Sequence, residues 1–160
     1  MFALPLAKCL RENHEEVVRR WLEILHGRIA DEFEQMLKTP MGGGVANKLL
    51  GGVIEFLEAE EYQKAEVLRR VRDTASDAAF RRTAVGFNLS DIVATALAFR
   101  VALQDTFLSH SLHGSIEDER TVVESLLALN RLGDVLVLGE IAGYFTYHDF
   151  RKTAGDEEVA

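Results

Sequence analysis

An all-α bundle of about six helices, with no sheet, is the fold class this sequence predicts, on three observations. Apolar residues recur at spacings of three and four along most of the chain, without the β-branched alternation of half-buried strands. Proline occurs only at Pro5 and Pro40, so long helical stretches run uninterrupted. Apolar residues make up 48% of the 160 residues, enough to close one substantial core. The organisation predicted is a single domain over residues 1–150 and an acidic, flexible tail over 151–160.

The elements follow in order. Pro5 suits a first helical turn, and Asn13 with Glu16 three residues later has the spacing of a capping box. Val17, Trp21, Leu25, Ile29, Phe33 and Leu37 then repeat at helical spacing, with Gly27 as the dent between two helices. The stretch "TPMGGGVANKLL" breaks the pattern. A helix from about Val45 to Glu58 is expected to bury Leu49, Leu50, Val53, Ile54 and Leu57. Another spans about Glu61 to Ala79, with Val67, Leu68, Val71 and Ala75 inward. "GFNLSDIV" is a helix start, with Asn88 or Ser90 as cap and Asp91 at the positive end of the dipole. That helix is expected to stop near "HSLHGS", where Gly114 suits a left-handed termination. Ser115 and Asp118 open the last helix, which carries Leu126, Leu129, Leu132 and Leu136 to about Tyr147.

Charge and cysteine content narrow the function. A net charge of −8 disfavours nucleic-acid and anionic-membrane partners, which need a positive footprint. Arg69, Arg70 and Arg72 read as a solvated helix face. Cys9 is the only cysteine, so no intrachain disulfide or thiolate cluster forms, and a cytoplasmic setting is expected. The apolar runs "IVATALAF" and "VLVLGEIAGYF" are cut by Arg100 and Glu140, short of the roughly 20 residues that span a bilayer. No basic residue precedes the apolar start "MFALPLAKC", as a signal peptide would require.

The glycine-rich stretch fails as a phosphate loop. Asn47 precedes Lys48 where a Walker loop has glycine, Leu49 follows where it has a hydroxyl, and no strand leads in. Gly42, Gly43 and Gly44 are therefore read as a flexible connection and a candidate hinge. His110 and His113 share a helical face, but no carboxylate falls in register with them, and two histidines near a helix C-terminus suit its dipole. Cys9 reads as packing and "EAEEYQKAE" as solvated surface. No acid pair, serine motif or cofactor fingerprint stands out, so no catalytic residue, metal site or cofactor is assigned.

Two stretches carry more. "HDFRKT" at His148 to Thr153 is similar to the phosphoacceptor box of histidine kinases, with Thr153 in place of the family's proline. In "LGDVLVLGEIAGYF", Gly139 and Gly143 lie four apart on a helix that is apolar nearly all round, a spacing that admits close helix approach. The approaching helix is either in the same chain or in a second copy. In the second case the seam would use Val135, Leu136, Gly139, Gly143 and Tyr144.

Several segments together resemble the N-terminal sensor domain of RsbR-type stress regulators, which also stands before some bacterial sensor histidine kinases. The likeness rests on "LRENHEEVVRRWLEIL", the Pro40–Gly42 break, "EFLEAEEY", "RVRDTASDAAF" and "FNLSDIVATALAFRVAL", from about Leu10 to Phe107. It implies a globin-like fold without haem, acting as a dimeric signal-input module in bacterial stress regulation. Consistent with this, "FRRTAVGFNLSDIVATALAFR", where a proximal haem ligand would lie, holds no histidine; His26 or His110 would have to substitute. Only about ten residues follow the last helix, so the chain is expected to signal through a partner protein or to be a sensor domain separated from its effector, its trigger being an unknown small ligand or partner. The alternatives are a haem- or metal-binding protein and a fragment phosphorylated at His148.

Overall fold

The computed structural model describes the backbone of residues 3–111 and 118–159, and within these the side chains of 5–39, 44–111 and 118–155. The described residues form seven helices: α1 (Ala3–Glu12), α2 (His14–Leu25), α3 (Asp31–Lys38), α4 (Pro40–Glu58), α5 (Glu61–Ala84), α6 (Leu89–His110) and α7 (Glu119–Val159). No strand occurs among them. The helical spacing is thus borne out, with one helix more than expected because residues 3–12 form their own element.

Local chemistry sets the joints. Gly27 adopts φ +76° and Gly86 φ +113°, values that favour glycine, and they separate α2 from α3 and α5 from α6. Asn88 accepts from the Asp91 amide while the Asp91 carboxylate accepts from the Asn88 amide, so the expected start of α6 is a complete capping box. The box expected at Asn13 does not form. Asn13 instead donates through Nδ2 to the Cys9 carbonyl at 2.8 Å, because α1 ends directly against α2. Asp118 takes the capping role at α7, accepting from the Arg120 amide and the Thr121 hydroxyl. His113, Gly114 and Ser115 lie outside the described residues.

Three boundaries differ from expectation. α4 begins at Pro40, so Gly42, Gly43 and Gly44 lie in its first turns and the connection to α3 is Thr39 alone. A proline at the first helical position needs no amide partner and has its φ already set, which lets the helix start ahead of the glycines. α5 continues past Ala79 to Ala84. α7 continues past Tyr147 to Val159, so residues 151–159 of the expected tail are helical.

α7 packs along α5 and α6, α6 rests on α2, and α4 bridges α1, α3 and α5. Leu10, Val17, Leu25, Leu50, Ile92, Leu103, Phe107, Leu129 and Leu132 fill the core at 1% exposure or less. Trp21 meets Phe99 edge to face at 6.3 Å, and Phe33 stacks on Phe87 at 4.1 Å. α6 is long and apolar enough, by length and composition, to cross a membrane, with mean hydropathy 1.3 over its best window. The apolar run read as ending at Arg100 continues through it in the helix, and half of that window is buried inside the chain.

Candidate functional site: a groove and a buried ion pair on one helix

An open groove of about 1000 Å³ lies between α1, α4 and α5. Its floor is apolar: Leu50, Ile54, Ala59 and Val67. Its rim is charged. Arg11 of α1 bonds Glu58 of α4, and Arg70 of α5 bonds Glu55 of α4 at 2.7 Å, so both ion pairs tie neighbouring helices together. Tyr62 stands at the rim 82% exposed, and a Cβ on Gly51 would meet nothing within 4 Å. The volume is at the upper end of the range for small-molecule sites.

A second polar feature lies inside the molecule, where α5, α6 and α7 meet. Arg82 donates through Nη2 to Glu140 Oε1 and through Nη1 to the Thr95 hydroxyl. Thr95 in turn donates to the Ile92 carbonyl, and its own carbonyl accepts from Trp21 Nε1 at 3.0 Å. Glu140 is 3% exposed; burial pushes its carboxyl above the usual range, and the Arg82 guanidinium opposes this. Among the described residues its second oxygen, Oε2, has no hydrogen-bond partner, and Glu140 lines a cavity of about 10 Å³ together with Trp21, Phe99 and Leu136. That is room for about one water and far below the size of a haem.

The remaining candidates from the sequence fall elsewhere. His26 Nδ1 lies 2.9 Å from Glu34, and His110 Nε2 lies 2.7 Å from Glu16. Each contact holds its carboxylate below the usual range. His26 and His110, the histidines a haem would have had to use, are thus paired with Glu34 of α3 and Glu16 of α2. No group of three metal-ligating side chains occurs among the described residues. Burial raises the Cys9 thiol. His148 is exposed, with its ring 4.5 Å from that of Tyr144.

The glycines of α7 are filled from within the chain. A Cβ on Gly143 would meet the Ser76 carbonyl at 2.1 Å, and one on Gly139 the Arg72 carbonyl at 2.9 Å. α5 therefore lies against α7 backbone to backbone. Leu136 is 2% exposed, and Tyr144 packs against the core. Of the residues expected for an intersubunit seam, Gly139 and Gly143 face α5 of the same chain, Leu136 and Tyr144 pack against the core, and Val135 is half-buried.

Among the described residues the opposite face of α7 presents exposed apolar side chains. Val123, Leu127, Leu138 and Phe145 are 52–64% exposed. Leu97 and Val101 stand exposed on α6, flanking the Arg100–Asp134 pair that joins α6 to α7. The sequence reading missed this stripe and the Arg82–Glu140 pair. A signal for the pair was present: a lone carboxylate inside the apolar run "VLVLGEIAGYF" needs a buried cation.

No family model, curated protein or solved structure matches the chain.

Proposed function

We propose that this chain is a non-catalytic signal-input protein of the bacterial cytoplasm, globin-like in arrangement and akin to the sensor domain of RsbR-type stress regulators. It works as a homodimer whose helix packing shifts when a small ligand or partner protein binds. The observation that carries this reading is the double position of α5. Its first half lines the groove through Tyr62, Val67 and Arg70, and its second half carries Ser76 and Arg82 against α7. A ligand that moves α5 by a fraction of a helix radius necessarily moves α7, since backbone-to-backbone contacts leave no slack.

The test is a thermal-shift screen of a small-molecule library against wild type and Gly51→Trp, whose indole would fill the groove. The expected result is a compound that stabilises wild type, not the variant, and alters hydrogen exchange in α7. Compounds that act equally on both proteins, or leave α7 unchanged, contradict the proposal. Gly42, Gly43 and Gly44 are the second handle: alanines there should alter the response in a partner-binding assay more than they alter folding. An unchanged response removes them as a hinge.

A second reading, phosphorylation at His148, draws support from the exposure of that side chain. It requires labelling by a cognate histidine kinase that disappears in His148→Ala.

A further inference from the structure

We infer that the outer face of α7 is an antiparallel two-fold seam between two copies of this chain, registered by Arg131 and Asp134. This deepens the homodimer reading above and rests on it. Val123, Leu127, Arg131, Asp134, Leu138 and Ala142 are all exposed and fall on one stripe about 100° wide. It faces away from the side filled by Leu129, Leu132, Leu136 and Glu140.

The order of residues on the stripe is self-complementary. About a point midway between Arg131 and Asp134, reversal of the helix exchanges Arg131 with Asp134, Leu127 with Leu138, and Val123 with Ala142. A second copy laid antiparallel across that point therefore sets each arginine on an aspartate and each leucine on a leucine. An interface that uses the same patch on both subunits demands this of its residues. The parallel alternative sets arginine on arginine and aspartate on aspartate, which electrostatics disfavours.

Both charged groups are available for the contact. Among the described residues no hydrogen bond or ion pair engages Arg131. Asp134 accepts from Arg100 at 2.9 Å and remains 66% exposed, leaving an oxygen for a second guanidinium. The charges set the register, and Leu127 and Leu138 supply the apolar contact on either side of them.

Cysteine cross-linking of the full chain tests the register, with native Cys9 buried and out of reach. A mixture of Leu127→Cys and Leu138→Cys proteins, mildly oxidised, should give a disulfide-linked dimer, whereas either variant alone should give about a tenth as much or less. Strong self-linking of either variant alone means a parallel seam and overturns the inference. A wild-type dimer by native mass with no link in the mixture means another face is used, which also overturns it while sparing the homodimer reading. A wild-type monomer overturns both. Charge exchange is the second readout. Arg131→Glu and Asp134→Arg should each weaken self-association about tenfold or more with wild-type circular dichroism, and an equimolar mixture should recover it. Undiminished self-association of Arg131→Glu overturns the inference.

Discussion

The two faces of α7 solve opposite problems with the same helix. The inner face carries Gly139 and Gly143, which bring the backbone of α5 into contact, and then sinks Glu140 into the core against Arg82. The outer face carries Val123, Leu127, Leu138 and Phe145 in solvent, broken by Arg131 and Asp134 at its middle. Glycine in a helix interior costs about 1 kcal/mol relative to alanine, so its presence signals a close approach worth more than that. Large exposed apolar side chains carry the reverse signal: area left over for a partner. The small residues mark contacts inside the chain, and the large ones are the basis of the proposed seam.

The largest expected effect comes from breaking the inner face at its charge. Arg82→Met leaves Glu140 buried and unpaired, and should lower unfolding stability by about 3–5 kcal/mol in a urea titration. Arg82→Met with Glu140→Leu should recover most of that loss, since an apolar pair of similar volume carries no desolvation cost. A double variant as weak as the single would show that the pair does more than neutralise itself.

Gly143→Ala comes next. Its methyl group would press on the Ser76 carbonyl, and forced repacking of this kind costs about 1–3 kcal/mol, visible as a lower Tm. An unchanged Tm would mean that α5 and α7 slide apart freely.

Acid sharpens the comparison through sign. Glu16 and Glu34 have folded-state pKa values lowered below 4.5, chiefly by hydrogen bonds from His110 and His26. Their contributions are fully present above 4.5 and are lost as pH falls through the lowered values. Glu140 is raised by burial, so it favours folding below 4.5 and its contribution fades as pH rises through the raised value. Glu16→Gln should flatten the rise of Tm with pH below 4.5, whereas Glu140→Gln should remove a fall of Tm with pH above 4.5. Matching shifts for both variants would contradict the assignment.

The smallest effect should come from Gly51→Ala, where the added methyl group meets nothing within 4 Å. Helix propensity then predicts a gain of up to about 1 kcal/mol, and a loss as large as that at Gly143 would erase the contrast between open and occupied glycines.

Helix-level information was legible in the chain because it is local. The capping box at Asn88, the dent at Gly27 and the apolar faces of α4 and α6 depend on residues within a turn or two of one another. The start of α4 was misread because three glycines outweighed the proline that precedes them. The choice of partner for α7 was not legible. Gly139 and Gly143 announce a close approach but do not say whose helix approaches, and that depends on Ser76, far away in sequence. The charge pair of Glu140 was half-visible, since the carboxylate interrupts an apolar run while its partner sits in the unremarkable "FRRTA". The groove floor was readable as two apolar faces, and its rim only once α1, α4 and α5 were brought together.

The most direct measurement is the native mass of the freshly purified protein beside that of Leu138→Asp, at micromolar concentration. Wild type should run at twice 17.9 kDa and the variant at 17.9 kDa, both with full helical circular dichroism. A wild-type monomer, or a Leu138→Asp dimer as stable as wild type, would contradict the assignment of the outer face of α7 as the surface through which this protein pairs.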